Sequence, residues 1–114
     1  MKVQIRDTEI LVEREDLLMV SKPPGILSIP DRYDPTKPNL YQWLKLKYGA
    51  LWQIHRLDRE TSGVMVFARD ADTHAFLSKA FEERRVEKVY HALVIGHPPS
   101  EGSIDKPITA NKNR

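Results

Sequence analysis

The run VMVFAR, residues 64–69, constrains this chain most. It is rich in β-branched and aromatic side chains, too short for a stable helix, and bounded by Gly63 and Asp70, so it reads as a strand. A strand this apolar needs neighbours, because an uncovered edge invites aggregation. The chain offers several. DLLMVSK, 16–22, is an apolar run with charged flanks, and Pro23-Pro24-Gly25 stops it at once. Proline cannot donate to a sheet ladder, and glycine permits a sharp change of direction. VQI at 3–5 and EILVE at 9–13 read as short strands around a turn at Asp7-Thr8, and VYHALVIG, 89–96, reads as a final strand. GILSIP, 25–30, is extended, and DRYDPTKP, 31–38, is loop by composition.

Two helices fit between the strands. Asn39 is a good N-cap, since its side-chain oxygen accepts from free amides of the first turn. Leu40, Trp43, Leu44 and Lys47 follow at helical spacing, and Gly49 supplies a stop. Trp43 belongs to the core on this reading. Asp70 or Asp72 caps a second helix running to about Glu83, with Ala71, Ala75, Phe76 or Leu77, Ala80 and Phe81 available for its inner face. From His97 onward the sequence is irregular. Strands, helix, strand, helix, strand predict an α+β chain with a mostly antiparallel, mixed sheet and flanking helices.

The chain has 114 residues, enough for one small core. Its net charge of +2 is too small to establish a polyanionic partner by itself, so the placement of charges matters more than their sum. It holds no cysteine, which excludes a disulfide framework and thiolate metal sites. No signal-peptide core and no membrane-length apolar run is present, so the expectation is a soluble, cytoplasmic protein without membrane partners.

HRLDRETSG, 55–63, is unusually polar for a stretch between apolar Leu51-Trp52 and VMVFA. Asp58 lies between Arg56 and Arg59, and guanidinium neighbours keep a carboxylate ionised. An ionised carboxylate suits a nucleophile or an electrostatic stabiliser better than a general acid. Thr61, Ser62 and Gly63 are able to close a tight turn, the hydroxyls bonding to nearby backbone. The competing reading is a surface loop whose charges pair with one another. His55 beside Asp58 raises metal or acid–base work, but with no Cys and no helical His pair the expectation is no metal. Lys22 reads as an ordinary strand-end lysine, and Tyr90 on general grounds as a core tyrosine with its hydroxyl at the rim.

HRLDRETSG resembles the signature of the RluA-type pseudouridine synthases, in which RLD, two variable residues and TSG follow one another. Arg56, Leu57, Asp58, Thr61, Ser62 and Gly63 match it in full. VSKPPGILSIP, 20–30, resembles the family's upstream lysine-proline-glycine motif, and FEERRVEKVYHALVIGHP, 81–98, its downstream segment with lysine and tyrosine two apart. GSIDKPI, 102–108, resembles a member acting on ribosomal and transfer RNA. The resemblance implies an isomerase that turns uridine into pseudouridine in structured RNA, without cofactor or metal. It implies Asp58 as the catalytic aspartate and Tyr90 as the tyrosine against the uracil ring. Arg56 would fill the RNA stack where the target base has left it. Arg59, Arg84, Arg85 and Lys88, with Lys45 and Lys47, are candidates for RNA contact, each as readily a solvated charge.

Family members are longer, and their second half carries a basic partner for the aspartate in a segment resembling HQLRVH, which these residues do not contain. Residues 1–114 are therefore expected to be the N-terminal part of a catalytic domain that is a monomer when full length. The alternative is an inactive, RNA-contacting remnant. A glycoside hydrolase fits poorly, because Glu60 is too close to Asp58 for two carboxyls to flank a bond.

Overall fold

A computed structural model of the chain describes residues 3–108. Its centre is a four-stranded sheet built from β1 (Glu9–Glu13), β2 (Leu17–Lys22), β3 (Trp52–Gln53) and β4 (Gly63–Ala68), in the order β1-β2-β4-β3. Every neighbouring pair is antiparallel. The only parallel pairing among the described residues is an isolated bridge from Leu27 to Asn39, which is as much regularity as GILSIP acquires. β2 and β4 pair along their full length, from Leu17 opposite Ala68 to Lys22 opposite Gly63.

Alternation decides what the sheet buries. Leu18, Val20 and Lys22 share one parity on β2, and Met65 and Phe67 share one on β4; all five are fully buried. Helix α1 (Leu40–Tyr48) adds Leu40 and Leu44 to this core, with Leu51 and Leu57. Each such side chain contributes roughly 1.5–3 kcal/mol when removed from water. The Asn39 cap forms as expected, its side chain accepting from Gln42 N–H at 2.9 Å. Gly49 ends the helix at φ +84°, where other residues are strained. Trp43 is only half-buried, packed against the core from the side. Helix α2 (Ala71–Glu82) is capped by Asp70, which accepts from Thr73 N–H at 2.7 Å, and packs beside β4 and β3. Of its expected inner face only Ala80 is buried, while Phe76 is exposed.

Two expected strands are absent. Residues 3–5 form no strand; Ile5–Asp7 is a short 3-10 turn instead. The Asp7 carboxylate reaches back to Gln4 N–H at 2.7 Å and the Thr8 hydroxyl donates to Ile5 C=O at 2.7 Å, so local bonds outcompete a ladder. The larger correction concerns 89–96. VYHALVIG has no helix or strand, and Leu93 and Ile95 stand fully in solvent. A strand earns its hydrogen bonds and burial from a neighbour, and no described strand lies alongside it. The strand Trp52–Gln53, in contrast, was not foreseen; it pairs with Ala68 and Phe67. The irregular reading holds for 97–108, and its remainder, 109–114, lies outside the described residues.

Candidate active site

Asp58 lies in the loop between β3 and β4, and its two chain neighbours are held from the opposite side by residues 22–28. The Ser28 hydroxyl donates to Leu57 C=O at 2.6 Å and accepts from Leu57 N–H at 3.2 Å. On the far side of Asp58, Arg59 C=O accepts from Gly25 N–H at 2.8 Å and from the Lys22 ammonium at 3.1 Å. Thr61 N–H then closes a turn onto Asp58 C=O at 3.0 Å. The backbone through Asp58 is thus fixed on both sides, while its carboxylate is left without a hydrogen-bond partner among the described residues and exposed. The Thr61 and Ser62 hydroxyls take no part in the turn; a backbone amide closes it instead.

Lys22 is the unexpected residue. Far from an ordinary strand-end lysine, it is fully buried and donates to Pro23 C=O at 3.0 Å, Ile26 C=O at 2.7 Å and Arg59 C=O at 3.1 Å. Three protons meet three carbonyls, which is what lets a buried ammonium persist. Burial pushes its pKa below the usual lysine value, opposed by the negative charges of Glu60 and Asp58. The signal for this was in the sequence: Lys22 has the same parity as Leu18 and Val20, so period-two alternation already put it on the inner face. Ser28 carried no comparable signal. The prolines and glycine do their expected work, Gly25 at φ +85° turning the chain back so that its amide reaches Arg59.

Asp58, Arg56 and Arg59 line an open groove of about 660 Å³ whose other wall is residues 27–33. Neither arginine forms an ion pair with Asp58; Arg59 leans on Glu60 at 3.9 Å, so local charge pairing does not consume the aspartate. His55 faces away from the groove's chemistry. Its Nε2 accepts from Val66 N–H at 3.1 Å and its ring stacks on Phe81 at 4.7 Å. Accepting at Nε2 requires the neutral ring with its proton on Nδ1. Burial, and then the charge of Lys88, push its pKa below the usual histidine value. His55 therefore clasps the start of the loop to β4. Among the described residues no group of three or more His, Cys, Asp or Glu could hold a metal, and no helix is long and apolar enough to cross a membrane.

The remaining candidates are not brought to the groove. Tyr90 is 61% exposed in the uncovered segment. Arg84 and Arg85 end α2: Arg84 takes a left-handed backbone at φ +57°, and the N–H groups of Arg84 and Arg85 cap Phe81 and Ala80 carbonyls at 3.1 and 2.9 Å. The Arg85 side chain pairs with Glu83 at 3.3 Å. Lys88 sits over the Phe81 ring at 5.3 Å.

Comparison with known proteins bears on what this arrangement does. The profile of the RNA pseudouridylate synthase family matches residues 16–114. The chain is 41% identical over 102 residues to the dual-specificity RNA pseudouridine synthase RluA of Vibrio vulnificus, covering 89% of this chain and 41% of that protein. The corresponding Escherichia coli K12 protein is 38% identical over 100 residues, covering 87% and 46%. The chain thus spans less than half the length of these curated relatives. Among solved structures, human RNA pseudouridylate synthase domain containing 4 is similar with a TM-score of 0.54 at 29% identity, over 68% of this chain and 30% of that one. Human RNA pseudouridylate synthase domain containing 1 shares the fold with a TM-score of 0.58, at 24% identity.

Proposed function

This chain belongs to the RNA pseudouridylate synthase family and is of the RluA type, and from that membership we propose that it supplies the aspartate-bearing part of an enzyme that isomerises uridine to pseudouridine in ribosomal or transfer RNA. The observation that carries the proposal is the grip on both neighbours of Asp58, which leaves one unpaired carboxylate presented in a groove beside Arg56. Breaking the bond between ribose C1′ and uracil N1 leaves an electron-poor sugar, with the bond's electron pair on the base. A carboxylate held in place is able to add to C1′ or to take a proton from the adjacent C2′. The base then turns and C5 bonds to C1′ as the carboxylate leaves C1′ or, on the second route, as the proton returns to C2′; N1 gains a proton and C5 loses one to a general base. Tyr90 is the residue proposed for the uracil ring, a role that requires segment 89–96 to be folded over the groove. Arg56 is proposed to fill the gap in the stack, since extruding a base costs a few kcal/mol and a planar guanidinium stacks well. Arg59, Arg84, Arg85 and Lys88 would add backbone contacts to RNA. The complete enzyme is proposed to act in the cytoplasm as a monomer.

The test is Asp58→Asn, in a polypeptide of the relatives' length, assayed for pseudouridine in ribosomal and transfer RNA. Turnover should vanish while RNA binding persists; retained turnover would remove Asp58 from the mechanism. Arg56→Ala should slow a structured RNA more than one whose target uridine is already unpaired, and equal losses on both would reject its stacking role.

A further inference from the structure

The groove wall opposite Asp58 carries a side chain that its packing does not explain. Tyr33 is 87% exposed, yet it stands on one of the better-braced loops of the molecule. The Asp31 carboxylate accepts from Tyr33 N–H at 2.7 Å and Asp34 N–H at 3.1 Å, and its other oxygen meets the Lys37 ammonium at 3.3 Å. Asp34 in turn accepts from Thr36 N–H at 3.1 Å. The two amides hold the Asp31 carboxyl below its usual pKa, so the brace stays charged at neutral pH. Leu27 C=O and Ser28 C=O bind the first turn of α1 at 2.8 and 3.0 Å, anchoring the base of this wall. An aromatic ring is therefore presented to solvent on a fixed backbone, lining the same groove as Asp58 and Arg56. Arg32 beside it and Arg56 across from it have no ion-pair partner among the described residues.

We propose that Tyr33 is a stacking platform for an unpaired base of the RNA substrate next to the target uridine, with Arg32 against the adjoining phosphate. A groove of about 660 Å³ has room for an extruded nucleotide. Every base offers a face to an aromatic ring, so a solvent-facing tyrosine on a braced backbone, beside uncompensated guanidinium groups, matches a splayed nucleotide in both shape and charge. The proposal rests on the RNA-isomerase reading of Asp58 and adds to it a residue that selects or holds the neighbouring nucleotide.

The experiment uses a polypeptide of the relatives' length and a stem-loop RNA with an unpaired uridine flanked by 5-iodocytidine. Irradiation and peptide mapping should place the crosslink on Tyr33. Tyr33→Ala should weaken binding about tenfold, the order expected for one lost stacked base, and raise KM with kcat little changed. Tyr33→Phe, which keeps the ring and loses the hydroxyl, should restore affinity to within about twofold. Wild-type affinity in Tyr33→Ala, an equal loss in Tyr33→Phe, a crosslink confined to other residues, or no binding of the stem-loop by the wild type would each overturn it. Asp58→Asn in parallel separates the two readings. Binding without turnover in that variant keeps the isomerase assignment whatever Tyr33 does. Turnover in that variant ends the assignment of Asp58, not that of the isomerase activity, while the Tyr33 crosslink is judged on its own.

Discussion

Residues 55–62 and residues 87–108 are both without helix or strand, yet they are opposite kinds of irregular chain. The first is polar in sequence and tightly held: Lys22, Gly25 and Ser28 bond to its backbone on both sides of Asp58, and His55 clasps its start to β4. The second contains an apolar run, VYHALVIG, and is held by almost nothing, with Leu93 and Ile95 fully exposed. Hydropathy would have ranked them the other way round. The difference teaches that order in a loop comes from long-range partners for its peptide groups, whereas an apolar strand without a neighbouring strand has nothing to order it.

The contrast can be broken by removing the grip. Lys22→Met keeps the volume but takes the ammonium from the Pro23 and Ile26 carbonyls and leaves Arg59 C=O with Gly25 N–H alone, and should cost about 2–4 kcal/mol of stability, read from denaturant midpoints. In the enzyme at full length kcat should fall with it. No change in midpoint would mean that the ammonium is not holding the loop. Ser28→Ala is a smaller break. It orphans the Leu57 N–H and C=O and should cost about 1–2 kcal/mol, with Ser28→Thr recovering part of the loss.

His55 sharpens the comparison through pH. Its folded-state pKa is lowered, so the unfolded chain takes up this proton first, near the ordinary value of about 6.5. The stability that depends on neutral His55 is therefore complete above that value and is lost as pH falls through the lower folded-state value. His55→Gln retains an acceptor for Val66 N–H and should flatten the decline of stability on the acid side, an effect smaller than either loss above. An unchanged pH profile would exclude the clasp. Least of all, the paired change Leu93→Ser with Ile95→Ser should leave the midpoint within about 0.5 kcal/mol, since neither side chain is packed. A larger destabilisation would show that 89–96 is covered after all.

Much of this was legible in the residues. The strands read at 9–13, 16–22 and 64–69, observed within a residue of those bounds, both helices and the Asn39 cap follow from alternation, helical spacing and side-chain chemistry, while the choice of Asp70 over Asp72 as the second cap comes from the structure. The family was legible because RLD, TSG and the lysine-proline-glycine motif are short, local and specific. What was not legible depends on partners distant in sequence. Lys22 reaches Arg59 across 37 positions, and Ser28 reaches Leu57 across 29; neither pairing has a local pattern. The strand expected at 89–96 failed for the complementary reason: its pattern is local and correct, but a pattern cannot supply the neighbouring strand. Tyr90 went with it, because its assigned place follows from resemblance and not from contacts in this chain.

Amide hydrogen exchange tests the central claim, that the loop bearing Asp58 is a fixed part of the folded core, most directly. The account predicts that the N–H groups of Gly25, Leu57 and Thr61 exchange as slowly as those of the β2–β4 ladder, while Val89 to Ile95 exchange close to the rate of an unstructured chain. Gly25 and Leu57 exchanging as fast as residues 89–95 would contradict it, because the backbone around Asp58 would then be free and no geometry in the groove would be held.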